Sequence, residues 1–374
     1  PIKDGEMGDE NRIVQALDTI KYAVEHGAKL ILTSHLGRTG GEPSQEFSLK
    51  PVADHLATLV DVPVHFAEDC IGEKAESVIN AAGQGEIVLL ENVRFHPEEK
   101  KNEPKFAMKL ATHADLFVND AFGSSHRAHA SVAGVTEYLQ PSVSGFLLEK
   151  EIQYLEESVN NPRRPFVAIL GGAKVSDKIG VIENLISKVD TIIVGGGMTY
   201  TFYKAKGLPI GDSLVEEDKV KLAGELMDQA EEAGIHFMLP IDSVVAKEFK
   251  HDAEQKVVDQ DGIEPGWMAL DIGPQSSIAF GNRIRSAGTI VWNGPMGVFE
   301  MENFAEGTFT VAQALAAATA ENGAITIIGG GDSAAAIKKA GLSDKVSHVS
   351  TGGGASLEYL EGKELPGVAA LTDA

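Results

Sequence analysis

The chain is nearly without cysteine. Among 374 residues only Cys70 carries a thiol, which excludes an intramolecular disulfide and fits a reducing compartment. Cys70 stands alone in the stretch AEDC, with no catalytic setting around it, and reads as inert. Basic residues are scarce as well. Lys and Arg total 32 against 55 Asp and Glu, a formal net charge of −23, and such acidity argues against nonspecific binding to nucleic acid and against anionic membrane surfaces. No apolar run approaches the roughly 20 residues of a membrane span. No signal peptide precedes the first helix, so the expected location is the cytoplasm. Low-complexity tracts and short-period repeats are absent, as is any pattern resembling a Ser-His-Asp set, a zinc-ligand cluster or a reactive Cys-His pair. What remains is 43% hydrophobic and 23% charged residues, an ordinary globular balance in a chain long enough for two domains.

The informative presence is glycine at the ends of short apolar runs. In the second half FVAIL runs into Gly171-Gly172, TIIV into Gly195-Gly196-Gly197, TIVW into Asn293-Gly294-Pro295, ITII into Gly329-Gly330-Gly331, and HVST into Gly352-Gly353-Gly354. Such β-branched runs, spaced by helical stretches, read as buried parallel strands, and ligands of such sheets sit just beyond the strands' carboxyl ends. One Gly-rich turn is only a tight turn. Five on one sheet edge point to a large phosphorylated ligand approached by backbone N–H groups. The first half delivers cations instead: KLILTS leads to His35-Leu36-Gly37-Arg38, IVLLEN to Arg94, and LFVNDAFG to His126-Arg127-Ala128-His129. Each alone reads as a solvated surface charge. Together, in so acidic a protein, they point to a small anion held by guanidinium and imidazole groups.

Helix and strand alternate almost throughout, so the expected fold class is α/β, with two doubly wound, mainly parallel-sheet, Rossmann-like domains joined by a hinge helix. Ile13, Leu17, Ile20 and Val24 recur at helical spacing, with Gly27 as the stop. The charged amphipathic stretch LLEKEIQYLEES and the Asn- and Pro-rich break after it mark residues 147–162 as connecting helix and hinge, dividing a domain over 1–146 from one over 163–363. Further helices are expected near 176–188, 216–233 and 308–320, and between Val244 and Pro274 the pattern loosens into charged turns and short extended pieces such as KVVDQ. The start is unusual for a doubly wound domain. Pro1-Ile2-Lys3-Asp4-Gly5 reads as turn material leading straight into a helix, so the first strand is expected to come from elsewhere or to be missing.

GGAKVSDKIG, residues 171–180, lacks the P-loop spacing, but Lys174 and Lys178 are four apart and on a helix would share a face toward one polyphosphate. Asp332, in GGGDSAAA, is placed to cap a helix and equally to hold Mg²⁺ against phosphate oxygens; the two roles are compatible. Ser333 and the amides around it are further phosphate donors, and the amides of STGGGAS, 350–356, are candidates to stabilise a phosphoryl group in flight. Donors and cations without a protein nucleophile are the equipment of phosphoryl transfer. Nucleotide on one domain and anion on the other would require hinge closure. A dehydrogenase reading fails, because no G-x-G-x-x-G fingerprint follows the first strand with an acidic residue about twenty positions on.

SHLGR (34–38), LLENVRF (89–95), VNDAFGSSHRAHAS (118–131), GGAKVSDKI (171–179), VGGGM (194–198), VWNGPMGVFE (291–300), IGGGDSAAA (328–336) and STGGGASLE (350–358) are similar to the motifs of phosphoglycerate kinase, in order and over almost the whole chain. The resemblance implies reversible phosphoryl transfer in glycolysis between 1,3-bisphosphoglycerate and MgADP, giving 3-phosphoglycerate and MgATP, by a cytoplasmic monomer. It implies a phosphoglycerate-binding domain over 1–146, with 364–374 folding back on it, and a nucleotide-binding domain over 163–363. Arg12 in ENRI and Lys174 would carry the transferring phosphoryl group, with Gly352 and Gly353 donating to it. His35, Leu36, Gly37, Arg38, Arg94, His126, Arg127 and His129 would surround the substrate anion. Gly172, Ala173 and Gly195 to Gly197 would border the adenine, Asn293 and Glu300 the nucleoside. Lys178, Gly330, Gly331, Asp332 and Ser333 would meet the nucleotide phosphates, with Asp332 on Mg²⁺. Two departures stand out. The family's VDFNVP strand, with its substrate-binding Asp and Asn, would end at Pro1, and Thr39 stands where many relatives carry Pro, a residue that would only stiffen the loop. The alternative function is that of a truncated or inactive nucleotide-binding protein of the same fold.

Overall fold

The computed structural model describes residues 2–3, 6–8 and 10–372; Pro1, Asp4 and Gly5 of the expected opening turn lie outside them. The chain divides into two compact units, Pro1–Glu151 with Glu364–Ala374, and Ile152–Lys363. The boundary falls inside the helix Phe146–Asn160.

In the second unit the glycine-terminated runs become strands of one sheet. Among the described residues it has six strands, in the order His236–Met238, Thr191–Val194, Phe166–Leu170, Thr289–Asn293, Ile325–Gly329, His348–Val349. All neighbours pair parallel. Every carboxyl end therefore lies on the same edge, and the five glycine junctions line it. Phe166–Leu170 and Thr289–Asn293 are buried at each residue, as strands covered on both faces must be, which is why they read as unbroken β-branched runs. From Phe166–Leu170 the chain winds first to one side and then, from Thr289, to the other, so the topological switch point falls between these two strands.

The core beneath that edge centres on Trp292, fully buried with its indole N–H donating to the Gly294 carbonyl at 2.7 Å. Helices Pro274–Arg285 and Glu306–Asn322 cover it with Phe280, Ile284, Val311 and Leu315. The helices expected near 216–233 and 308–320 are Val220–Glu232 and Glu306–Asn322. The segment read as loosened, Val244 to Pro274, is instead a three-stranded antiparallel sheet, with Asp242–Ala246 between Gln255–Asp259 and Met268–Ile272. Its outer strand takes in the KVVD of the extended piece KVVDQ, whose place in a sheet is obscured in sequence because charged residues occupy both faces. Lys256 points inward with its ammonium 4.4 Å from the Trp267 ring centroid and 2.8 Å from Glu264, so a cation does the covering that an apolar side chain does elsewhere.

The first unit is built from smaller pieces. Leu30–Leu32, Ile87–Leu90 and Val64–Ala67 form a parallel sheet with Ile87–Leu90 central, while Phe117–Asn119 pairs parallel with Ser142–Ser144 in a separate sheet. Helix Asn11–Glu25 lays Ile13, Leu17, Ile20 and Val24 against Leu56 and Ile87, and Gly27 at φ 79° ends it. Ahead of that helix the chain is not only turn: Ile2–Lys3 and Glu6–Met7 pair antiparallel, two residues each. The tail joins this unit through its backbone, Gly367 donating to the Ser125 carbonyl and accepting from Asn119 Nδ2, both at 2.8 Å.

Phe280 is 1% exposed and packs within the Trp292 core. Phe280→Ala is expected to lower the stability of the second unit by about 3–5 kcal/mol, read by urea unfolding monitored through tryptophan fluorescence; a loss under about 1 kcal/mol would contradict this packing.

Candidate active site

The cations of the first unit are brought together by a stitched pair of turns. Asn92 accepts the Arg94 amide at 3.0 Å and its Nδ2 donates to the carbonyls of Leu36 and Phe47 at 2.8 and 2.9 Å. Arg94 Nη1 donates to the Gly37 carbonyl at 3.1 Å. Leu36 and Gly37 thus serve through their carbonyls, and Gly37, at φ 69° with the Phe47 ring against it, has no room for a side chain. Thr39 hydrogen-bonds the Arg94 carbonyl through its hydroxyl and accepts the Gly41 amide at 3.2 Å. It is therefore a fastener in its own right, a role that Pro could not play.

Around these turns the charges share one field. His35 is held down to about 3, first by burial and then by Arg94, His129, Arg127 and Arg12. His129 is held down to about 4 by burial, Arg94, Arg127, Lys100 and His126. Arg127 lies against His126, Nε to Nε2 at 3.0 Å. Arg38 is exposed. Two members escape sequence reasoning. Lys100 carries no motif, and Glu99 is a buried carboxyl raised by burial, accepting the Ser131 amide and hydroxyl at 2.9 and 2.6 Å behind His129. Glu99 stands in the charged run HPEEKKNEPK, where pattern alone cannot separate it from a surface Glu.

In the second unit the switch point is framed by Lys178 and Asn293. Both are buried, and Lys178 Nζ donates to Asn293 Oδ1. Burial lowers the lysine's pKa while Asp177, Asp332 and Glu361 act the other way. Lys174 and Lys178 do not share a helical face as expected: the helix starts at Ile179 with Lys178 as its cap, and Lys174 stands exposed in the preceding turn. Glu216 clamps that turn, accepting the Ser176 amide at 3.0 Å and hydroxyl at 2.6 Å. Partial burial favours its protonated form, but the bonds from Ser176 and Val175 and the Lys174 charge hold it below the usual carboxylate range.

The glycine amides are less free than their number implies. Gly171 donates to Asn293, Gly172 to Pro295 and Gly196 to Met296 across the turns, at 2.9, 3.0 and 2.9 Å. Gly195 donates to Leu170 at 3.0 Å. Ser333 is buried with its hydroxyl oxygen accepting the Gly294 amide at 2.6 Å, and the Gly352 amide is taken by Ser350 Oγ at 3.0 Å. What opens outward is Ala173, Gly331, Asp332, Glu300 and, partly, Gly197, Gly330 and Gly353. Gly331 to Ser333 form the first turn of helix Gly331–Lys339, where backbone amides have no intrahelical acceptor. Leu214, half exposed, lies against Gly197 beside Ala173; no sequence motif marked it.

A buried lysine, an exposed aspartate and helix-start amides at the switch point of one unit, with a cluster of guanidinium and imidazole groups on the other, define a phosphotransferase. A family profile described as phosphoglycerate kinase matches residues 1–363, and the chain belongs to the phosphoglycerate kinase family. It is 57% identical over 374 residues to a phosphoglycerate kinase of Chloroherpeton thalassium, covering all of this chain and 94% of that one. It is 55% identical over 375 residues to one of Clostridium tetani, covering 100% and 92%. Among solved structures, phosphoglycerate kinase from Coxiella burnetii superposes with a TM-score of 0.88 at 42% identity, over 99% of this chain and 92% of that one. The protein from Pyrococcus horikoshii gives 0.84 at 34%, over 99% and 93%. The chain is accordingly a glycolytic enzyme that moves a phosphoryl group to and from a carboxyl acceptor, with ATP and ADP as co-substrate. Its substrates are small molecules, and among the described residues no helix is long and apolar enough to cross a membrane.

Because His35 and His129 lie below the ordinary 6.5, the unfolded chain binds more protons than the folded one between that value and about 3 and 4 respectively. Their contribution is complete above pH 6.5 and is lost as pH falls through that window. Both imidazoles are expected to remain neutral at pH 5 by NMR, with the first unit easier to unfold there than at pH 7; ordinary titration near 6.5 would show that the charges do not converge.

Proposed function

We propose that the first unit's cluster holds phosphoglycerate and the second unit's switch point holds the nucleotide. The observation that carries this reading is the Lys178–Asn293 pair at the place where the parallel sheet reverses its winding. Ala173, Gly197 and Leu214 border an apolar strip suited to an adenine ring, with Gly172, Gly195 and Gly196, held by their bonds to Pro295, Leu170 and Met296, as its floor. Asn293 and the exposed Glu300 face the nucleoside. Lys178 and the amides of Gly331 to Ser333, with Gly330 leading into them, meet the phosphates.

In the transfer an ADP phosphate oxygen forms a bond to the acyl phosphorus while the bond from that phosphorus to the carboxyl oxygen breaks, leaving the carboxylate of 3-phosphoglycerate. The protein supplies charge and position. Arg12 and Lys174 face the moving group. Donation from the STGGG turn falls on Gly353, since Ser350 holds the Gly352 amide. His35, Arg94, His126, Arg127 and His129 hold the far phosphate and carboxylate, and Arg38 supplies long-range attraction from the surface.

The second unit's donor set fits Mg²⁺. Asp332 presents an exposed hard carboxylate at a helix start, within the field of Lys178, and this ion takes one or two carboxylates together with phosphate oxygens. When bound, it neutralises charge on the phosphates. The working form in this reading is a cytoplasmic monomer, supported by the self-repulsion of a −23 charge and by the lone buried thiol.

A coupled assay of 1,3-bisphosphoglycerate formation from 3-phosphoglycerate and MgATP tests the assignment. Arg12→Ala and Lys174→Ala are each expected to lower turnover by about 10²–10³ with nucleotide binding largely intact; a normal rate in either removes that residue from the mechanism. Nucleotide binding without turnover in the unaltered chain would favour the inactive alternative. Asp332→Asn is expected to raise the Mg²⁺ needed for half-maximal rate by about 10-fold or more, and an unchanged requirement would place the ion elsewhere.

A further inference from the structure

The strand Val64–Ala67 ends in the run Glu68-Asp69-Cys70, and the turn Val93–Phe95 is followed by His96. The fold brings these two ends together. One donor atom from each of Asp69, Cys70 and His96 lies within 4.8 Å of the others, although no motif spacing in the sequence joins them. Asp69 Oδ1 accepts both the Cys70 amide at 2.7 Å and His96 Nε2 at 2.8 Å. The thiol beside this pair is 1% exposed, and burial with the charges of Asp69, Glu99 and Glu91 raises its pKa while its own backbone N–H acts the other way. A merely structural Asp–His bond has no use for that third group. On the outer side a cavity of about 370 Å³ opens onto Asp69 and His96, rimmed by Glu68, Glu91 and Ser44. Asp69, Glu99 and Glu91 all bear electrostatically on the thiol, so a dication entering from the cavity meets a negative field.

We propose that Asp69, Cys70 and His96 form a binding site for a borderline-soft divalent cation of the zinc type, separate from the phosphoryl-transfer machinery. Sulfur, imidazole nitrogen and carboxylate oxygen are the donors such ions select, whereas Mg²⁺ prefers oxygen alone. Three protein ligands leave a fourth position toward the cavity for water. On binding, the thiol proton passes to solvent and the sulfur–metal bond forms. His96 coordinates through Nε2 with its proton on Nδ1, and Asp69 exchanges its hydrogen bond for coordination. The bound ion would tie the end of strand Val64–Ala67 to the turn that carries Arg94, bracing the first unit. This site does not depend on the kinase mechanism above.

The test is titration of the chelator-treated full chain with Co²⁺ in excess Mg²⁺. Since Cys70 is the only cysteine, a sulfur-to-cobalt charge-transfer band reports this site alone. One equivalent is expected to bind with that band and to be displaced by Zn²⁺. Cys70→Ser should abolish the band. His96→Gln and Asp69→Asn, at partly exposed positions, should weaken binding by at least about 10-fold with the circular dichroism unchanged, and they carry the test if the buried cysteine variant fails to fold. Absence of the band in the folded unaltered chain, or an affinity unmoved by His96→Gln, would overturn the proposal.

Discussion

Three turns at the switch point pack backbone on backbone, and the rest of the second unit is arranged around that contact. A Cβ at Gly171 would collide with the Pro295 and Gly294 carbonyls, one at Gly294 with Gly171, and one at Gly196 would sit 2.6 Å from the Gly172 carbonyl. With no side chains between them, the turns exchange hydrogen bonds directly, and Trp292 below fastens the Gly294 carbonyl. This closure fixes where Lys178 and Asn293 meet. It also changes what the glycines are for. Several of their amides hold the turns to one another, and in the proposed reading the groups that meet the ligand are fewer and more definite: Lys174, Lys178, Asp332, the first turn of helix Gly331–Lys339, and Gly353.

The first unit solves the opposite problem. A chain of net charge −23 must concentrate cations at one place, and like charges repel. The structure does this by keeping two of the positions neutral: burial and neighbouring guanidinium groups hold His35 and His129 uncharged, so Arg12, Arg94 and Arg127 are interleaved with hydrogen-bonding imidazoles rather than with more cations. Asn92 and Glu91 fix the turns beneath, Glu91 accepting the Leu49 and Asn92 amides at 2.8 and 2.7 Å. An arriving multivalent anion can then pair with the guanidinium groups and draw the imidazoles toward protonation.

Much of this was legible in order along the chain. The five runs ending in glycine announced parallel strands because strands buried on both faces need unbroken apolar residues, and Ile13, Leu17, Ile20 and Val24 announced a helix because its inner face repeats at that step. Reading faltered where a side chain's partner is remote. Gln255–Asp259 read only as a short extended piece among charged turns, because its inward Lys256 is satisfied by Trp267 and Glu264. Lys174 and Lys178 looked like one helical face until the burial of Lys178 against Asn293, 115 residues away, delayed the helix to Ile179.

The sequence by itself determined the fold class and the chemical division between a cation-bearing half and a glycine-bearing half, since these follow from local periodicity and from residue types at strand ends, while the resemblance to the family rested on its motif strings. Tertiary structure alone decided which donors remain available, which histidines stay neutral, where Glu99 and Glu216 act, and that Asp69, Cys70 and His96 converge. The reason is physical: hydrogen-bond satisfaction and burial are properties of space, and residues 26 or 115 positions apart acquire a common environment only when the chain between them has folded.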